Sequence, residues 1–223
     1  MAGYFISGTD TEIGKTLITL GLMMALKNVG MKVGGMKPVA SGCSRTKEGL
    51  RNEDAIQIQT YCDTSNSYDL INPYAFEPPV APHIAAREAK VLIDLEKIKI
   101  CYEQISSSVD AMVVEGVGGW KVPLGHRQSL PDLVSVLELP VILVVGLKLG
   151  CINHAILTSE AIRKDGLLLK GWVANEVESD YSTVDASVEY LSANISAPLL
   201  GHIPFAKTPD PAKIATSLDM ALL

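Results

Sequence analysis

Positive charge is in short supply. The chain sets 19 Lys+Arg against 25 Asp+Glu, a formal net charge of −6, with a pI near 5.2. Nucleic acid and anionic membrane surfaces both demand a clustered positive face, so neither is an expected partner. Long hydrophobic runs are also missing. The longest, Val141 to Leu147, stops at Lys148, far short of the roughly 20 apolar residues that cross a bilayer. The four cysteines, Cys43, Cys62, Cys101 and Cys151, stand 19, 39 and 50 residues apart. They form no C-x-x-C pair and no disulfide framework, so reduced thiols are expected. His83, His126, His154 and His202 are as scattered, which speaks against a zinc site. The N-terminus has no basic residue before Lys15 and no cleavage site, so it does not read as a signal peptide, and a cytoplasmic location is expected.

What is present is a globular composition, 48% apolar and 20% charged over 223 residues. That length suits one α/β domain spanning 1–223. Short β-rich runs alternate with helical patterns and no repeat or linker interrupts them. Gly3–Ser7, Lys32–Val39, Ala111–Glu115, Pro140–Gly146 and Leu167–Asn175 read as strands, the later ones as near-continuous apolar runs covered on both faces. Lys15–Asn28 reads as a helix with Leu17, Leu20, Met24 and Leu26 on or near one face. Leu95, Ile98, Tyr102, Ile105 and Val109 repeat at helical spacing behind Asp94 as N-cap. Cys151–Lys164 and Val184–Ala193 are further helices. The alternation predicts a doubly wound, mostly parallel sheet with helices on both faces. Ligands in such folds gather at the carboxyl ends of the strands.

The chemistry-bearing motifs fall at those ends. Gly8-Thr9-Asp10-Thr11-Glu12-Ile13-Gly14-Lys15-Thr16 follows the first strand and opens the first helix, the context of a phosphate-binding loop. Backbone N–H groups and the helix start form an anion nest, Lys15 reaches the β/γ-phosphates, and the Thr16 hydroxyl suits Mg²⁺. Five residues rather than four separate Gly8 from Gly14, which departs from the standard pattern. Glu115 ends an apolar strand before Gly116-Val117-Gly118-Gly119, a second place to anchor Mg²⁺. Asp54 sits at a helix start, where a carboxylate also suits the dipole, and periodicity does not choose it over Glu53. Lys37 before Pro38 reads, on residue type alone, as a solvated strand end. Gly150-Cys151-Ile152-Asn153-His154 opens a helix and offers free N–H groups. Asn175 closes a strand, where it serves equally as a turn residue or as a reader of adenine's edge.

Together with Lys37-Pro38-Val39-Ala40-Ser41-Gly42, Gly49 to Ala55, Asn72-Pro73-Tyr74, Ala81-Pro82-His83 and Gly171-Trp172-Val173-Ala174-Asn175, these motifs resemble the dethiobiotin synthetase family. The likeness runs in family order from the first strand to Pro204, and the five-residue loop spacing is the family's own. It implies a P-loop NTPase-like fold and an ATP- and Mg²⁺-dependent ligase of biotin biosynthesis. Such an enzyme joins CO2 to 7,8-diaminononanoate, giving dethiobiotin, ADP and phosphate through a carbamate and a carbamic–phosphoric mixed anhydride.

By motif match, the resemblance gives Lys15, Lys37 and Thr11 catalytic roles and places Mg²⁺ at Thr16, Asp54 and Glu115. It lays ATP along Glu12, Ile13, Gly14, Lys15, Thr16, Leu17, Asp54, Glu115, Gly116, Val117, Gly118, Asn175, Glu176, Pro204, Phe205 and Ala206. Ser41, Gly150, Cys151 and Asn153 would bind substrate, the last three across a homodimer interface. Val117 stands where the family has a small Ala, and the stretch after Pro204 matches weakly. Two other classes fit less well. A partitioning ATPase would carry a lysine five positions before the loop lysine, and Asp10 stands there. An amidotransferase-linked amide synthetase would need a glutaminase domain for which 223 residues leave no room.

Overall fold

The computed structural model describes residues 2–223. In chain order the elements are β1 (Ala2–Gly8), α1 (Lys15–Asn28), β2 (Val33–Met36), β3 (Val39–Ala40), β4 (Ser44–Thr46) and β5 (Gly49–Arg51). Next come α2 (Glu53–Tyr61), α3 (Tyr68–Ile71), β6 (Tyr74–Ala75), α4 (Pro82–Glu88), α5 (Leu95–Ser106), β7 (Ala111–Glu115) and α6 (Leu130–Leu137). The chain continues through β8 (Val141–Leu147), α7 (Cys151–Lys164), β9 (Leu169–Glu176), α8 (Val184–Asn194), β10 (Leu199–Ile203) and α9 (Pro211–Ser217).

Six strands form one sheet in the order β10-β9-β8-β1-β7-β2, and every pairing in it is parallel. α1 packs on α2 and α9, while α5 packs on α6 and α7 on α8, so helices cover both faces as the alternation predicts. β7 and β8 are buried along their whole length, which is why they read as unbroken apolar runs. From β1 the chain turns one way to β2, and from β7 the other way to β8, so the crossovers diverge around the carboxyl end of β1. A crevice opens at such a reversal.

The elements differ from the sequence reading in physically simple ways. The second strand stops at Met36 rather than Val39, because Pro38 has no N–H for the ladder; Val39–Ala40 instead pairs with Tyr74–Ala75. Helix α5 ends at Ser106, short of Val109. Ser106, Ser107 and Ser108 turn their hydroxyls back onto the carbonyls of Glu103, Gln104 and Ile105, the competition that ends helices at serine runs. α1 keeps its expected bounds but buries far more than one stripe. Ile18, Leu22 and Met23 are buried too, while Leu17 and Met24 are only half-buried. A Cβ on Gly21 would collide with Ile214, so glycine is what lets α1 and α9 pack this closely.

Candidate active site

The loop after β1 turns back on itself through left-handed residues, Glu12 with φ 57° and Gly14 with φ 85°. Gly14 is required there for a second reason: a Cβ would run into the Asn175 amide. That amide comes from the end of β9 and donates from Nδ2 to the Ile13 carbonyl at 2.8 Å, fixing the crest of the loop. Lys15 Nζ donates to the Asp10 carbonyl at 2.6 Å. Burial first, and the nearby charge of Lys37 second, push the Lys15 ammonium down to about 8.

Three further elements bring charge to the same place. Lys37 follows β2, Asp54 lies in the first turn of α2, and Glu115 ends β7. Lys37 is not solvated: it is 4% exposed. Its Nζ donates to Glu115 Oε1 at 2.6 Å, to Asp54 Oδ2 at 3.0 Å and to the Gly116 carbonyl at 3.1 Å. Burial alone would lower its pKa, but the two carboxylates outweigh that and raise it. Conversely, burial would raise Asp54, yet Lys37 and the Thr16 hydroxyl hold it below the usual range. Thr16 Oγ1 donates to Glu115 Oε1 at 2.9 Å. That leaves Glu115 Oε2 buried with no hydrogen-bond partner, an arrangement normally avoided unless a ligand or ion completes it. The residue-type reading of Lys37 as a solvated strand end is thereby corrected, since a buried strand-end lysine paired with the buried Glu115 and the half-buried Asp54 has no need of water.

These groups line a cleft of about 360 Å³ together with Thr11, Glu12, Gly14, Ser41, Val117 and Gly118. Asn52 joins them there and was missed; it caps α2 by accepting from the Ala55 N–H at 3.2 Å, and an Asn before two acids is the available signal. A second cleft, of about 450 Å³, shares Glu12 and Gly14 with the first and continues past Leu17, Asn175, Glu176, Pro204, Phe205 and Ala206. The stretch after Pro204, weak by motif, is therefore at the site. Glu176 ties it down, with Oε1 at 2.8 Å from His202 Nε2 and Oε2 accepting from the Phe205 N–H at 3.2 Å. The α9 side of this wall, Lys213, Ile214 and Ser217, was also missed. Its signal is Asp210 before Pro211, an N-cap that accepts from the Ala212 N–H at 2.9 Å with proline at the first helical position.

Gly150, Cys151 and Asn153 line neither cleft. Gly150 and Asn153 are exposed, whereas Cys151 is buried with its thiol 3.7 Å from the Tyr181 hydroxyl.

One cleft rich in charge therefore shares Glu12 and Gly14 of the loop with a second, more apolar cleft. A family described as "AAA domain" matches residues 2–213. The ATP-dependent dethiobiotin synthetase BioD of Pseudomonas aeruginosa is 46% identical over 99% of this chain and 97% of its own. That of Aeromonas salmonicida is 45% identical over 99% and 98%. Among solved structures, the MinD cell division protein of Aquifex aeolicus superposes with a TM-score of 0.56 at 18% identity, covering 96% of this chain and 86% of that one. A ParA family ATPase of Chlorobium tepidum gives 0.54 at 13%, covering 92% and 85%. At such identities the structural likeness speaks for the fold alone, a P-loop NTPase-like α/β architecture. The sequence likeness speaks for more: the chain carries the AAA domain and belongs to the ATP-dependent dethiobiotin synthetase family.

Proposed function

We propose that the two clefts are one continuous site in which ATP, CO2 and 7,8-diaminononanoate meet, within a single domain spanning 1–223. The base would lie between Leu17, Asn175, Glu176 and the Pro204–Ala206 stretch, and the phosphates over Gly14, Lys15 and Thr16, with Gly116, Val117 and Gly118 opposite. The reaction needs two anions, a carbamate and the γ-phosphate, to approach each other. Catalysis of that kind is mostly positioning and fixed positive charge, without a protein nucleophile. One amine and CO2 form the carbamate; a carbamate oxygen attacks the γ-phosphorus and ADP leaves; the second amine then attacks the carbonyl carbon and phosphate leaves as the ring closes. Thr11, Lys15, Lys37 and Ser41 would flank the carbamate and the transferred group.

The observation that carries this reading is the Lys37–Asp54–Glu115 cluster, in which Glu115 Oε1 accepts from Lys37 and Thr16 while Oε2 is left buried and unpartnered. An all-oxygen set of two carboxylates and a hydroxyl is the donor chemistry Mg²⁺ prefers, so Thr16, Asp54 and Glu115 would hold it. Bound there, Mg²⁺ would neutralise charge on the β- and γ-phosphate oxygens.

Gly150, Cys151 and Asn153, which line neither cleft of their own chain, fit a homodimer in which the start of α7 meets the substrate carboxylate of the partner subunit. No described helix is long and apolar enough to cross a membrane, and a cytoplasmic enzyme is the setting we propose. The test is incubation with ATP, Mg²⁺, bicarbonate and 7,8-diaminononanoate, with dethiobiotin detected by mass. Dethiobiotin is expected; folded protein that yields none overturns the reading.

A further inference from the structure

Asp10 lies five residues before the loop lysine and has three partners, two at its carboxylate and one at its backbone carbonyl. The Asp10 carbonyl accepts from Lys15 Nζ at 2.6 Å, its Oδ1 accepts from the Thr11 N–H at 2.8 Å, and its Oδ2 stands 3.2 Å from Lys148 Nζ. Lys148 directly follows the adjacent strand, β8. β8 lies beside β1 with Gly8 opposite Val144, and the Thr9 N–H still donates to the Val144 carbonyl at 3.0 Å. The two loops therefore leave the sheet edge side by side. The Lys148 carbonyl in turn accepts from the Cys151 N–H at 3.0 Å in the turn that opens α7.

The ion pair is too wet to matter much for stability. Its side chains are 31% and 45% exposed, and pairs as exposed as that contribute little to folding. Its consequence is geometric. A lysine side chain has several rotors to fix before it can act as a point charge, and here the Asp10 backbone sets where the Lys15 ammonium stands. The Asp10 carboxylate engages the Thr11 N–H and so orients the peptide that carries Thr11 along the cleft. Loops position reacting groups well only where a further layer of contacts locks them.

We propose that Asp10 is the positioning residue of the phosphate loop and that Lys148 locks it from the loop that opens α7. The activity readout rests on the dethiobiotin synthetase reading; the binding readout does not.

The experiment compares Asp10→Asn, Lys148→Met, their double variant and Lys148→Arg. Asp10→Asn retains an acceptor for the Thr11 N–H and the backbone carbonyl while discarding the charge, so it isolates the lock in a chain of unchanged shape. Equilibrium ATP affinity and steady-state kcat and KM are measured, with circular dichroism to verify folding. Each single variant is expected to weaken ATP binding about fivefold or more, and the double variant no further than the worse single, as for residues acting through one contact. The KM for the diamine should move less than about twofold. Lys148→Arg keeps the charge and should restore most of the affinity. Effects that multiply in the double variant, or ATP affinity at the starting value in both singles, would overturn the proposal. A starting protein that binds ATP but makes no dethiobiotin would count against the functional reading alone, since the ATP-affinity cycle would still test the lock.

Discussion

At the scale of single residues, Lys37 carries the most weight. Nothing in its neighbours along the chain distinguishes it from a solvated lysine. What sets it apart is the meeting of Asp54 and Glu115, 17 and 78 residues away, and only the fold brings those together. Negative charge on the attacking and bridging oxygens peaks in the transition state, where a fixed cation helps turnover more than binding. Lys37→Gln should therefore lower kcat by about a hundredfold or more, measured as single-turnover dethiobiotin formation, while equilibrium ATP affinity changes far less. Lys15→Gln should show the reverse emphasis, with nucleotide affinity hit hardest. Glu115→Gln and Asp54→Asn should each raise the Mg²⁺ concentration needed for half-maximal turnover without unfolding the protein. Either variant matching the unsubstituted enzyme at limiting Mg²⁺ would remove that residue from the proposed metal set. Asn175 is the converse of Lys37: its motif pointed to adenine, and its amide is also tied to the Ile13 carbonyl, so one side chain serves both the loop and the cleft.

At the scale of elements, most of the doubly wound sheet was legible because buried parallel strands are apolar throughout and the helices between them are periodic. β7, α1 and α7 kept their expected bounds. β10 and α9 were not legible. β10 is interrupted by Gly201 and His202, and α9 has only seven residues, too short for periodicity to show. Such elements are fixed by what they pack on. Asp63 illustrates a contact that sequence does not announce. It accepts from Lys27 at the end of α1 at 2.8 Å and from the Val33 N–H at the start of β2 at 2.8 Å. Burial would raise its pKa, but Lys27 and that N–H outweigh burial and lower it. A carboxyl whose folded pKa is depressed stabilises the fold above its unfolded pKa of about 3.9 and loses that contribution as pH falls through the folded value. Asp63→Asn should accordingly lower the unfolding free energy at neutral pH, by about 1 kcal/mol or less, read from denaturant titration. The difference should close in acid below both pKa values. A gap that persists there would assign the effect to packing instead.

At the scale of the whole molecule, the sheet order places the ends of β1, β2, β7, β9 and β10 along one edge, and the cleft residues named above come from those ends or from the segments that follow them. The exceptions are Gly150, Cys151 and Asn153, which motif matching singled out and the chain alone does not bring to the crevice. The proposed partner subunit would account for them. Mixing an inactive Lys37 variant with an inactive Asn153 variant, under conditions where subunits exchange, should restore activity, because one site in each mixed dimer is then intact. Exchange without recovery would move Asn153 out of the partner's site. The central claim is that ATP phosphorylates a carbamate oxygen derived from CO2, and isotope transfer tests it most directly. Supplying ¹⁸O-labelled CO2 with the diamine, ATP and Mg²⁺ in a single turnover fast enough to outrun exchange with water should give phosphate carrying one labelled oxygen and dethiobiotin carrying the other. Dethiobiotin formed alongside unlabelled phosphate would contradict the account.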